Sequence, residues 1–221
     1  MDVYEYIKHL APVYAEPERA DGMKAYMKGQ FEYYGISSPS RKLLLAELKK
    51  TYKPVLNEET WQLAGRLWED PHREMQYVAL EILRPLARKM DCSHMPILES
   101  MILTKSWWDT VDGVVPDLVG SIFSRDKACR DRYVYRWMEK PNIWLKRSAI
   151  IFQLRYGRNT DFDLLSEAIL KNDTSAEFFV RKAQGWALRQ YAKFEPIRVR
   201  QFVEANPQLS GLTKREALKH F

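Results

Sequence analysis

With 221 residues, 46% of them apolar, and seven tryptophans, the chain can bury a substantial core and lacks the composition of a disordered segment. No apolar run is long enough to cross a bilayer, and the N-terminal stretch MDVYEYIKHLAPVYAEPERA, acidic and without an apolar h-region, does not read as a secretory signal. The net charge of +6 is unevenly spread: residues 1–124 hold 15 Lys and Arg against 18 Asp and Glu, whereas residues 125–221 hold 20 against 11, which suggests a surface for a polyanion.

Helical periodicity runs from end to end. In SSPSRKLLLAELKK, Ser38 is the expected N-cap and Pro39 the first helical residue, with Leu43, Leu44 and Leu48 on one face. Asn57 is expected to open NEETWQLAGRLW, and Asp70, followed by Pro71, to open DPHREMQYVALEIL. Cys92 and Cys129 stand far apart without a CxxC or a histidine at ligand spacing, and are expected as two separate buried or half-buried thiols of a cytoplasmic protein. KPNIWLKRSAIIFQLRY and TSAEFFVRKAQGWALRQYAKF are two further amphipathic segments, and Thr213 to Glu216 has the form of a capping box. No alternating β-branched run bounded by turn signals occurs, so the expected class is all-α, with residues 1–221 as a single domain. His9, His72, His94 and His220 show no HExxH or paired spacing, so no metal site is expected.

A degenerate repeat is also visible. Arg147-x-Ala149 leads to Leu154-Arg155-Tyr156, and 34 residues later Arg181-x-Ala183 leads to Leu188-Arg189, with Tyr191 following. Asp112 stands 35 residues before Arg147, and Gln76 stands 36 before Asp112. A period in the mid-thirties predicts a HEAT-like solenoid of stacked antiparallel helix pairs, with equivalent positions along its concave face. On that expectation Gln76, Asp112, Arg147 and Arg181 form a row, with Trp144 beside Arg147 and Trp186 beyond Arg181.

KSWWDTVDGVVPDLVG is the least ordinary stretch. On a helix, Trp107, Val111, Val114 and Leu118 make a core stripe, Asp109 points to solvent, and Trp108 meets Asp112 at i, i+4. Pro116 removes the hydrogen bond that would reach the Asp112 carbonyl, so a bend is expected at the carboxylate.

WWDxVD, IWLxR and GWxLRxY, with GISSPSRK before them and LTKREALKH after, resemble in order the AlkD-like DNA alkylation-repair glycosylases. The resemblance covers essentially the whole chain. It implies HEAT-like repeats whose concave face holds duplex DNA, and excision of N3- and N7-alkylated purines such as 3-methyladenine and 7-methylguanine without metal or cofactor. By position, Asp112 resembles the family's catalytic carboxylate, Trp108 its aromatic partner and Trp186 a second aromatic wall. Arg147 resembles the residue that engages the DNA backbone near the lesion. Tyr26 resembles a lesion-proximal aromatic, and Arg155, Phe178 and Phe179 fall where the family contacts DNA. Arg181 joins this set through the repeat. The family often has Lys at the position of Arg155.

A cationic purine is already a good leaving group, so one carboxylate can suffice where ordinary glycoside hydrolysis needs an acid as well. The expected protein is therefore a monofunctional, cofactor-free glycosylase acting on double-stranded DNA as a cytoplasmic monomer. Two rivals stand beside it: a bifunctional enzyme using Lys146 or Lys182 as a Schiff-base nucleophile, and a non-catalytic repeat module binding DNA or protein.

Overall fold

The computed structural model describes residues 2–172 and 174–219; His220 lies outside them. Their regular structure is helical and includes no strand, although an isolated bridge pairs Glu32 with His72. The chain divides into two compact units, Met1–Lys89 and Met90–Phe221.

The first unit holds α1 (Val3–Tyr14), α2 (Pro17–Tyr26), α3 (Ser38–Thr51), α4 (Glu58–Glu69) and α5 (Arg73–Leu83). Asn57 caps α4 as expected, its side chain accepting from the Thr60 N–H. Two expected starts differ. Ser37, one residue earlier than expected, caps α3 by accepting from the Ser40 N–H. Asp70 does not cap α5, which begins only at Arg73, because its carboxylate is drawn into a tertiary cluster. That carboxylate accepts from Lys8 at 2.6 Å, from the Tyr4 hydroxyl at 2.9 Å and from the His72 N–H at 2.9 Å. Burial pushes its pKa up, but these donors outweigh burial and hold it below the usual carboxylate range. Gln76 is fully buried, its amide donating to the carbonyls of Leu67, Trp68 and Asp70 at the end of α4. It is spent on closing a helix and joins no exposed row.

The second unit holds α6 (Met95–Leu103), α7 (Trp108–Gly113), a π-helical turn (Val114–Val119), α8 (Gly120–Phe123), α9 (Lys127–Glu139) and α10 (Ile143–Ile151). It continues with α11 (Phe162–Leu170), α12 (Phe178–Ala192), α13 (Pro196–Ala205) and α14 (Gly211–Ala217). Short connectors fold α10 back on α9 and α14 back on α13, as the helix-pair repeat requires. Helices of the same rank then stack: α7 on α10, α10 on α12, α12 on α14. Gln184 repeats the device of Gln76, its amide reaching the Ile169 and Asn172 carbonyls at the end of α11. Gly185 lets α14 approach closely, since a Cβ there would lie 2.4 Å from the Glu216 Cβ and 2.7 Å from the Thr213 carbonyl oxygen.

The expected capping box at Thr213 is not formed. Ser210 caps α14, while Thr213 sits inside the helix and donates to Gln184 at 2.8 Å. The expectation of separate thiols is also overturned: Cys92 and Cys129 form a disulfide, with Cα atoms 5.9 Å apart. The carboxylate of Asp126, close to both sulfurs, accepts from the Cys129 N–H at the start of α9.

Candidate active site

α7 begins at Trp108. Trp107, in extended conformation, precedes it as the cap residue, half-buried rather than in the core stripe. Val111, Val114 and Leu118 are fully buried as expected. Beyond Gly113 the helix widens into the π turn, whose Gly120 N–H bonds five residues back to the Val115 carbonyl. Pro116, without an N–H, sits inside that turn. The expected irregularity at the carboxylate is thus a π turn, a feature that often accompanies functional sites. Five-residue bonding favours bringing residues five apart toward one face, and both Asp112 and Asp117 turn to arginines of the next repeat.

Asp112 is the centre of the arrangement. Its side chain is 18% exposed, and that of Arg147 on α10 is 4% exposed. Arg147 donates Nε–H to Oδ1 at 2.8 Å and Nη2–H to Oδ2 at 2.7 Å, a bidentate pair. Its Nη1 donates to the Phe179 carbonyl at 2.6 Å. Burial pushes the Asp112 carboxyl up from its ordinary value, against the pull of Arg147. The same guanidinium lies 5.8 Å from the ring centroid of half-buried Trp186 on α12. Trp108, also half-buried, stands one helical turn before Asp112 on the same face of α7. Asp112, Arg147, Trp186 and the Phe179 backbone therefore converge, and helical register aims Trp108 toward them.

The other expected site residues make different contacts. Arg155, with a side chain 65% exposed, pairs with Asp117. Arg181 donates from Nε to the Ser175 carbonyl at 2.6 Å. Phe178 is exposed, and Tyr26, 71% exposed, belongs to the first unit. Lys182 is tied to Glu216 at 2.6 Å, which removes support from its role as a nucleophile.

An aromatic brace was missed. Phe179 packs edge-on against Trp107 with centroids 5.1 Å apart and tilted against Trp144 at 5.1 Å, so it backs the site as well as supplying a carbonyl. Trp144, expected on the exposed row, is buried. A signal was available: aromatics at 107, 144 and 179 recur at helix starts with roughly the repeat spacing.

The profile of a family described as DNA alkylation repair enzyme matches residues 7–221. The chain belongs to this family. Among solved structures, it is similar to the predicted DNA alkylation repair enzyme from Enterococcus faecalis, at 32% identity and a TM-score of 0.84 over 94% of this chain and 96% of that one. No curated protein matches. Membership of the DNA alkylation repair enzyme family assigns the chain an enzymatic role in repairing alkylated DNA.

Proposed function

We propose that the protein is a monofunctional glycosylase that hydrolyses the N-glycosidic bond of N3- and N7-alkylated purines, 3-methyladenine and 7-methylguanine among them, in duplex DNA. The observation that carries this reading is the half-buried Asp112 carboxylate, held by two N–H groups of Arg147 beside the ring of Trp186.

The bond between C1′ and the base nitrogen breaks with its electron pair staying on the purine, which leaves neutral. Positive charge passes to the sugar as an oxocarbenium ion, and ionised Asp112 stabilises it. Each Asp112 oxygen keeps a lone pair that Arg147 does not use. One of these orients water toward C1′ and takes its proton as the C1′–O bond forms, leaving an abasic site. The indoles of Trp108 and Trp186 favour the cationic base and sugar through their negative ring faces, by ~2 kcal/mol each when desolvated. Normal bases and uncharged lesions leave poorly and gain little from the rings, so they are spared.

Arg147, Arg155, Arg181, Tyr26 and Phe178 are the proposed DNA contacts, with Phe179 serving chiefly as the brace behind the pair. The basic second half would add salt-dependent phosphate affinity. The test is release of 7-methylguanine from methylated duplex DNA by wild type and by Asp112→Asn. Removing one transition-state stabiliser should lower the rate by about two to three decades while duplex binding persists. Near-normal release by Asp112→Asn would overturn the assignment.

A further inference from the structure

Asp126 caps α9 by accepting from the Cys129 N–H at 2.8 Å, so a spacing of three residues sets a carboxylate and a sulfur on one helical turn. Cys92, in the turn before α6, brings a second sulfur to them. One ligand atom from each of the three residues lies within 4.8 Å of the other two. A tetrahedral zinc ion holds sulfur and oxygen ligands about 3.5–3.8 Å apart, so modest side-chain rotation would complete the set. The second oxygen of Asp126 has no hydrogen-bond partner among the described residues. Cys129 is buried but Cys92 only half-buried, which leaves one side of the set open to water. The two segments are also clasped independently of the disulfide. Arg125 donates from Nη2 to the Met90 carbonyl at 2.7 Å and from Nε to the Ser121 carbonyl at 2.9 Å. That clasp holds Cys92 beside the start of α9 when the S–S bond is open. His94 is turned to Asp91 at 2.9 Å and is not one of the three.

We infer that the dithiol form of the protein binds one zinc-class divalent cation through Cys92, Cys129 and Asp126, with water as fourth ligand, and that the disulfide is the metal-free state of the same site. Two thiolates and one carboxylate suit a borderline-soft ion such as zinc, whereas magnesium and calcium take oxygen ligands. Cys129 stands at the N-terminus of α9, whose partial positive charge favours its thiolate. Opening the site takes two electrons and two protons from a dithiol reductant. Its thiolate attacks the more accessible Cys92 sulfur, and the S–S bond breaks with its electron pair on Cys129. The reductant's second thiol then displaces Cys92 and closes a disulfide of its own. Zinc displaces one proton from each cysteine thiol as it binds. Exchange with an added disulfide reverses the sequence and expels the ion, because the thiolate is the metal ligand. Bond and ion are thus alternative ties between the segment before α6 and the start of α9. None of the residues of the proposed reaction centre takes part.

The test reduces the full chain with a phosphine, which leaves as its oxide after taking oxygen from water, and then titrates Co²⁺ and Zn²⁺ anaerobically. Reduced wild type should bind one Zn²⁺ per chain, and Co²⁺ in its place should give a thiolate-to-cobalt charge-transfer band. The oxidised chain should bind neither. Zn²⁺ should raise the Tm of the reduced chain and leave that of the oxidised chain unmoved. Cys92→Ser, at the half-buried position, should lose most of the band. Asp126→Asn keeps the helix cap, since asparagine serves there as well, but removes the charged ligand. It should weaken Zn²⁺ binding at least about tenfold, the smaller end of the loss expected even for an outer-shell partner. Absence of the band in reduced wild type would overturn the site, as would equal binding by the oxidised chain or by Cys92→Ser. Unchanged Zn²⁺ affinity in Asp126→Asn, with an unchanged helix content by circular dichroism, would remove the carboxylate and overturn it too.

Discussion

Arg147 uses three of its N–H groups on three acceptors, both oxygens of Asp112 and the carbonyl of Phe179, and so fixes the carboxylate against the second helix of the following repeat. The pair has opposing effects on Asp112. Burial favours the neutral acid, and the guanidinium favours the ionised form that the proposed chemistry needs.

Arg147→Ala removes the lowering influence and leaves the raising one. The Asp112 carboxyl should then titrate at higher pH than in wild type, and excision, which requires the ionised form, should fall away at a higher pH on the acid side. A pH–rate profile of 7-methylguanine release on saturating duplex checks this. The variant should also lose about 3–5 kcal/mol of stability, because a mostly buried charge loses its partner. An acid limb that stays in place would show that Arg147 does not tune Asp112.

Trp108→Ala should discriminate between lesions. Loss of a desolvated ring facing a cation is worth ~2 kcal/mol, or roughly 30-fold in rate, for positively charged purines. A neutral substrate that leaves slowly, such as hypoxanthine, should be affected much less. Parallel single-turnover assays on 7-methylguanine and hypoxanthine duplexes check this. Equal losses on both would mean that Trp108 serves packing alone.

What could be read from the sequence was what depends on nearest neighbours along the chain. The helical class, the Asn57 cap, the Trp108–Asp112 register and the irregularity near Pro116 all follow from local spacing. The repeat period brought Asp112 and Arg147 together because both sit on stacked helices of the same rank. The same period misplaced Gln76, whose amide closes α4 just as that of Gln184 closes α11. Asp70 and Thr213 had the local form of helix starts, yet tertiary partners took their side chains: Lys8 and Tyr4 for one, Gln184 for the other. The Cys92–Cys129 bond, spanning 37 residues, depends on how α9 meets the segment before α6, which no local pattern records.

Gly185 stands where α12 and α14 touch. An added methyl would overlap the Glu216 Cβ and the Thr213 carbonyl, both on α14, so one helix must move. Gly185→Ala should therefore destabilise by about 1–3 kcal/mol despite the better helix propensity of alanine. Thermal unfolding monitored by circular dichroism should show a lower Tm. An unchanged or raised Tm would mean that α14 shifts at no cost.

Glu216 accepts from Lys182 and Arg189 on α12, and its side chain is 14% exposed. The Lys182 hydrogen bond leads, and with help from Arg189 it outweighs burial and holds the carboxyl below the usual glutamate range. A carboxyl depressed on folding adds stability that is present above its unfolded pKa, about 4.3, and is lost as pH falls through the folded one. At pH 7, Glu216→Gln should be less stable than wild type by about 1 kcal/mol, a Tm drop of roughly 2–4 °C. As the pH is lowered beneath ~4 the two Tm values should converge, because wild-type Glu216 becomes protonated and surrenders its ion pairs. Tm measured at several pH values between 7 and 3 checks this. A difference that stays constant over that range would mean that Glu216 joins α12 to α14 through packing and neutral hydrogen bonds rather than through charge.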